Sequence, residues 1–557
     1  MNRTLIVLGL DSADPKLLDV WMDRGALPNI KRLREQGAYC SLRGPDLYLS
    51  EQAWTLVTTG FEATSTGYWS RWQFDPRTYE LRDAGAYDFD QFPPFYALGP
   101  TYRSALFDVP QTRKSDRVNG VQIFAWGARS ARTTSSSEPP DLLTELVQKH
   151  GRHPAFDRDH ASYWNPIAVT WLERALRKGI ARRTEICLDL LKRKPWNLFF
   201  TVFGETHSAG HFLWHLSQEH PLYRWKRTIA GDPLQRVFQD VDRSIGEILT
   251  ARPDADVVVF SPEGMEANSV DLPSTVFLPE LLYRLSCGPA AGLADGGVPG
   301  VPPPSVGVPN ALGWYRHLYA LRSDHHPIRR HLRRWLPIEL SERWERVTDP
   351  GQGPGYPASF GGLFHQPPMW YSRLWPGMKA FALPSISHGY IRINVRGRER
   401  DGIVDPSLYG RFCDELTGHL LALRDARSGL PVVQNVVRPR TSPLEAGRHL
   451  PDADLVVFYH SRPVDVVDSP SVGRIGPVPY ARTGGHTNRG FAIIRAPGCS
   501  PGSVLQNGHV RDLAPTFLSL LGAPASMSLG GTSLMSDRMD PPSVTERTVL
   551  EGADVSR

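Results

Sequence analysis

Leu198-Phe-Phe-Thr-Val-Phe203-Gly-Glu-Thr-His207-Ser-Ala-Gly-His211-Phe-Leu-Trp-His215 is the stretch whose reading decides the fold. Its first six residues are apolar and β-prone, the composition of a strand buried on both faces of a parallel sheet. The run stops at Gly204 and gives way to a cluster of metal-ligating side chains. In open α/β sheets, ligands gather beyond the carboxyl ends of such strands. His207 and His211 are four residues apart and share one face if the chain turns into a helix there, and imidazole is a common metal ligand. In a chain with 18 histidines the pair alone equally suits a capping or stacked role. The rest of the chain has to supply the partners.

Composition bounds what those partners can be. With 557 residues and 41% hydrophobic content, the chain is long enough for a large catalytic domain with insertions or for two or three domains. A formal charge of +5 and the lack of a basic stripe interleaved with aromatics give no footprint for nucleic acid. The densest basic run, Arg329 to Arg334, reads as a solvated helix face. Five scattered cysteines without a Cys-x-x-Cys pair fit a reducing compartment and argue against a disulfide framework or a thiolate zinc site. Thr4 to Leu10 is apolar but short and runs into Asp11, so it reads as a first core strand. The chain shows no signal peptide and no membrane span, and a cytoplasmic protein is the expectation.

The first strand ends at Asp11-Ser-Ala-Asp14, with Pro15 where a helix starts. Asp11 suits a metal or phosphate site at a strand end and equally suits a helix cap. Pro15 to Asp23 and Leu27 to Glu35 are amphipathic helices. Leu47-Tyr-Leu-Ser50-Glu-Gln-Ala-Trp-Thr-Leu-Val-Thr-Thr-Gly60 puts Ser50 at a helix start, where backbone N–H groups and the helix dipole favour anions and a developing alkoxide. A plain N-cap serine would occupy the same place. Asn165 to Lys192 and Leu234 to Leu249 are long amphipathic helices placed before the Leu198 strand and the Asp256 strand. Together with strands at Ser104 to Pro110 and Gly120 to Arg129, this alternation predicts an α/β fold with a mainly parallel central sheet sandwiched by helices.

Asp11 after a strand, Ser50 before the Thr59-Gly60 pair, Thr206-His-Ser-Ala-Gly-His211 and the late Gly484-Gly-His486 together resemble the type I phosphodiesterase/nucleotide pyrophosphatase branch of the alkaline phosphatase superfamily. The order and spacing match over nearly the whole chain. The resemblance implies an alkaline-phosphatase-like fold and a Ser nucleophile between two divalent metals, usually zinc. It maps one metal onto His207, His211 and His486, and the other onto Asp11, Ser50 and a Ser-Asp-His-Gly motif. Here that motif reads Ser261-Pro-Glu263-Gly264, so only Glu263 is left to ligate. A carboxylate there also suits manganese or magnesium. The family's Asp at position 207 is a His, giving a three-histidine set like those that activate water on catalytic zinc. No sulfatase Cys-x-Pro-x-Arg motif occurs, and so no formylglycine is expected.

The expected function is a metal-dependent hydrolase that cleaves phosphodiester or phosphoanhydride bonds of a small, nucleotide-like substrate through Ser50. The alternatives are a phosphoryl or sulfuryl transferase of small-metabolite biosynthesis and a degenerate binding protein. The partner is a small phosphate or sulfate ester, with no nucleic acid and no membrane. Arg129, His215 and Asn268 are secondary candidates for substrate contact. In domain terms, residues 1–287 form the first part of the core and 288–375 a linker and an insertion that caps the site. Residues 376–535 form the second part of the core, with Tyr390 to Glu399 and Asp454 to Phe458 as strands, and Arg411 to Leu423 and Val510 to Leu521 as helices. Residues 536–557 are a mobile tail.

Overall fold

The computed structural model describes residues 4–127, 134–156, 166–223, 230–288, 366–523 and 529–536, together with isolated positions between 292 and 332. Arg129, most of the Arg329 to Arg334 run, most of the 288–375 insertion and nearly all of the tail lie outside the described residues. A ten-stranded sheet forms the centre. Its middle is five parallel strands in the order Asp256–Ser261, Leu5–Leu10, Leu198–Phe203, Gly99–Phe107 and Val118–Phe124. Arg489–Arg495 runs antiparallel between Asp256–Ser261 and Ala38–Arg43, and Ser136–Glu138 closes the far side antiparallel to its neighbour.

The three central strands are buried along their whole length, as their unbroken apolar runs require. Successive side chains enter different cores. Ile6, Leu8 and Leu10 pack with Trp21, Leu176, Ile186, Val241 and Ile245 from the helices Pro15–Asp23, Pro166–Arg193 and Pro233–Ala251. Leu5 and Val7 pack with Trp54, Val57 and Phe517 from the helices Leu49–Thr59 and Leu513–Leu521 on the other side. The expected layering of a mainly parallel sheet between helices is therefore present. Because this period-two division buries both faces, a one-residue slip of the first strand would exchange its two side-chain sets and move Asp11 from its place.

A third apolar core gathers around a four-stranded antiparallel sheet ordered Ala380–Leu383, Gly389–Ile393, Leu455–Tyr459, Val433–Val437. The helices Leu278–Cys287 and Tyr409–Leu421 pack against it. The strand expected over 390–399 stops at Ile393. There the Asn394 amide donates to the carbonyls of Trp375, Pro376 and Met378, and Val395 N–H turns to the Glu399 carboxylate. Side chains thus take the groups that ladder bonds would otherwise use. The helix expected over 510–521 begins as a 3₁₀ turn, Val510–Asp512, before Leu513–Leu521. No described helix is long and apolar enough to cross a membrane.

Candidate metal centre and serine site

The carboxyl ends of the three central strands converge. Asp11 follows the first strand, and its backbone N–H donates to Phe203 O at 3.2 Å while its carbonyl accepts from Thr206 Oγ1 at 2.7 Å. This ties the turn after the first strand to the start of the Glu205–Ser217 helix. Asp11 is not a cap. Asp14 takes that role, accepting from the N–H groups of Lys16 and Leu17, while Asp11 Oδ1 accepts from Trp54 Nε1 at 3.2 Å.

Ser50 is separated from the capping reading in the same way. The residue before the Leu49–Thr59 helix is Tyr48, held in the left-handed region at φ 54°, and Ser50 is already helical. Its hydroxyl donates to Glu263 Oε2 at 2.8 Å. Glu263 is delivered by the turn after Asp256–Ser261, which Ser261 fixes: its Oγ donates to Glu263 O at 2.7 Å and accepts from Ala13 N–H at 3.0 Å. Pro262 thus contributes no ligand but sits in a turn that aims Glu263 inward. Ser12, with φ 58°, donates from Oγ to Glu263 Oε1 at 2.9 Å and lies 3.2 Å from His486 Nδ1. Asp11, Ser50 and Glu263 are all buried.

His207 and His211 lie one turn apart on the Glu205–Ser217 helix, which forms where the sequence pattern places it. His486 comes from Gly484–Thr487, a strand paired antiparallel with Gly264–Ala267. The ring nitrogens of the three histidines can be chosen within 4.8 Å of one another, a cluster able to hold a metal ion. The partners of His211 and His486 orient their rings. His211 Nδ1 lies 2.7 Å from Gly484 O, and a carbonyl only accepts, so the proton is on Nδ1 and Nε2 is an acceptor, with Arg482 Nη1 and His207 Nε2 each 2.9 Å away. For His486, a proton on Nδ1 passing to Ser12 Oγ, whose own proton goes to Glu263, again leaves Nε2 as a lone pair. Carbonyl and carboxylate partners of this kind orient histidine ligands and raise their basicity. The donor set thus fits a divalent ion. Gly484 has to be glycine, because a Cβ there would lie 2.2 Å from Gly210 O of the histidine helix.

Other groups complete the surroundings. Asn268 donates from Nδ2 to Gly484 O at 3.2 Å and accepts from Val270 and Asp271 N–H, so it braces the carbonyl that orients His211. His215 is buried, and burial pushes its pKa down to about 4. Its Nδ1 lies 3.0 Å from Thr483 Oγ1, and Thr483 N–H donates to His211 O at 2.8 Å. Sequence reading gave no role to Ser12, Trp54 or Arg482. Arg482 Nη1 lies 2.9 Å from His211 Nε2, while Nε and Nη2 donate to the two oxygens of Asp271, each at 2.7 Å. A polar residue directly after Asp11 was the one visible hint of Ser12.

The two helices that bear the site are anchored at their first turns. Glu205 is fully buried between Arg183, whose Nε lies 3.0 Å from Oε1, and His153, 3.2 Å away. Burial works to raise its pKa, but Arg183 and His153 prevail and bring it down to about 2. Arg183 also donates from Nη2 to Asp108 at 2.7 Å. Glu51, next to Ser50, accepts from Tyr390 Oη at 2.9 Å, Ile386 N–H at 3.1 Å and Ser387 Oγ at 2.5 Å. No cation is among these hydrogen-bond donors, and burial raises its pKa.

No protein-family model matches the chain, and a search of curated proteins gives no match. Among solved structures, the chain is similar to phosphonoacetate hydrolase from Sinorhizobium meliloti 1021 in complex with phosphonoformate. That likeness has 12% identity over 94% of this chain and 96% of that one, with a TM-score of 0.46. It is likewise similar to an inactive form of murine ectonucleotide pyrophosphatase/phosphodiesterase 5 in complex with AMP, with 10% identity over 96% of this chain and 98% of the other and a TM-score of 0.46.

Proposed function

We propose that this protein is a metal-dependent phosphoester hydrolase of the type I phosphodiesterase/nucleotide pyrophosphatase branch of the alkaline phosphatase superfamily, acting through Ser50 on a small, nucleotide-like phosphodiester or phosphoanhydride. The observation that carries this reading is the bridge made by Glu263. One of its oxygens accepts from Ser50 at 2.8 Å, and the other lies 3.2 Å from Nδ1 of His486, a member of the three-histidine cluster. Nucleophile, proton acceptor and metal donors are thus contiguous beyond the carboxyl ends of the central strands.

Ser50 Oγ forms a bond to phosphorus as the bond to the leaving group breaks, and Glu263 takes the Ser50 proton. Backbone N–H groups of the first helical turn at Leu49–Glu51 face the equatorial oxygens. Water then attacks the same phosphorus, the bond to Ser50 Oγ breaks and a phosphomonoester leaves, and Ser50 regains its proton. An ion held by His207, His211 and His486 would supply Lewis acidity to a phosphoryl oxygen and lower the pKa of a bound water. Imidazole donors suit zinc there, whereas Asp11, Ser50 and Glu263 form a weaker oxygen set for a second ion, suited also to manganese or magnesium. Five cysteines without a disulfide support a reducing, cytoplasmic setting.

The test is turnover of bis(p-nitrophenyl) phosphate by the zinc-loaded protein and by Ser50→Ala. Turnover by the parent chain that Ser50→Ala abolishes is the expected result. Undiminished turnover by Ser50→Ala would remove the nucleophile assignment.

A further inference from the structure

Arg482 is the charged residue at the histidine cluster that the proposed chemistry leaves without a task. Its geometry is built rather than incidental. Two of its nitrogens are locked on Asp271 by paired 2.7 Å hydrogen bonds, a fork that removes most of the side chain's rotamer freedom. The third nitrogen, Nη1, is thereby fixed 2.9 Å from Nε2 of His211, donating to the ring nitrogen on the His207 side of the cluster. Asp271 is itself fixed, since its N–H donates to Asn268 Oδ1, and Asn268 also holds the carbonyl that orients His211. The same short segment therefore sets both a metal ligand and a guanidinium. The Arg482 side chain is 23% exposed, so one edge of it is open to solvent.

The two flanks of the cluster carry opposite charge. On the His486 side stands the Glu263 carboxylate, 3.2 Å away, and on the His211 side stands the Arg482 guanidinium. A cation held rigidly beside a divalent cation repels it unless an anion comes between them. A clamp that keeps the guanidinium there marks a place for negative charge. From this polarity we propose that Arg482, held by Asp271, is the anion-recognising residue of the site: it binds an anionic oxygen of the substrate's phosphoryl group on the side away from Ser50 and Glu263, so that the site selects negatively charged esters. This rests on the hydrolase reading for the identity of the anion but not for the existence of the anion site.

The experiment measures binding of inorganic phosphate to the zinc-loaded full chain by calorimetry, for the parent, Arg482→Gln, Arg482→Lys and Asp271→Asn. Zinc content and circular dichroism are recorded for each. The expected result is phosphate affinity lowered by about 10- to 100-fold in Arg482→Gln. Arg482→Lys should be partly rescued and Asp271→Asn intermediate, with zinc content unchanged throughout. With bis(p-nitrophenyl) phosphate, the Arg482→Gln loss should fall on KM more than on kcat, whereas a neutral phosphotriester should lose nothing. Phosphate affinity equal in the parent and Arg482→Gln would overturn the proposal, as would tighter zinc binding in Arg482→Gln with phosphate unaffected, which would make the arginine merely a competitor for His211. If the parent binds phosphate in an Arg482-dependent way but turns over no ester, the hydrolase reading fails and the anion site stands. If it turns esters over with a KM indifferent to position 482, the reverse holds.

Discussion

The helix that carries His207 and His211 and the helix that carries Ser50 are fixed by opposite electrostatic means. Glu205, at the start of the histidine helix, is a buried carboxylate whose charge is balanced by Arg183, with His153 3.2 Å away. Glu51, at the start of the serine helix, is equally buried but accepts from the hydroxyls of Ser387 and Tyr390 and an amide N–H. A charge paired inside a protein is strongly destabilising when one partner is removed, whereas Glu51 has no cation among these donors to lose: burial raises its pKa, and its hydroxyl and N–H donors pull the other way. The histidine side is therefore a rigid, ionised frame suited to holding nitrogen donors in register. The serine side is a hydrogen-bonded contact between the apolar core under the Leu49–Thr59 helix and the core around the four-stranded sheet.

The largest effect expected is on chemistry. Ser50→Ala should lower kcat by roughly 10³-fold or more while leaving zinc content unchanged, measured on the same preparations. If zinc were lost as well, the two sides would not be separable as described. Next comes stability. Arg183→Met, which leaves Glu205 and Asp108 buried without their cation, should cost about 3–5 kcal/mol in urea unfolding. Glu51→Gln, which keeps shape and acceptor, should cost about 1 kcal/mol or less at neutral pH. Equal costs for the two would erase the contrast.

Acid should loosen the serine side through His388, beside Ser387. Burial pushes the pKa of His388 down to about 3, below its ordinary value near 6.5. The unfolded chain then binds a proton that the folded chain refuses. Stability contributed by the neutral ring is complete above about pH 6.5 and is lost as pH falls from there toward 3. His388→Leu should flatten that decline in a pH series of thermal melts, and an unchanged slope would assign the acid sensitivity elsewhere. The smallest effect is at the histidine side's outer layer. Asn268→Ala, by loosening Gly484 O, should weaken zinc binding by about tenfold, read by competition with a chelator.

The parts of this arrangement that could be read from sequence are those written in local pattern. Apolar runs ending in Asp11, His207 and Glu263 announce strands whose carboxyl ends meet, and the glycines before His486 announce a close backbone approach. What could not be read depends on contacts across long stretches of chain. Ser12 meets Glu263 251 positions away, and Arg482 meets Asp271 211 positions away. An arginine two residues before the Gly484–Thr487 strand has no local signature of an anion clamp. Whether Asp11 and Ser50 were caps was equally undecidable locally, because a cap and a ligand call for the same residue types at the same place. The positions of Asp14 and Tyr48, at the actual helix starts, exclude the cap role for Asp11 and Ser50.

The most direct measurement is zinc stoichiometry, by elemental analysis of the purified chain and of His211→Ala and His486→Ala after equilibration with limiting zinc. The account predicts one tightly held ion per chain, lost in both variants while Glu263→Gln keeps it. An ion that survives removal of His211 and His486, or a parent chain that holds no zinc at all, would contradict it.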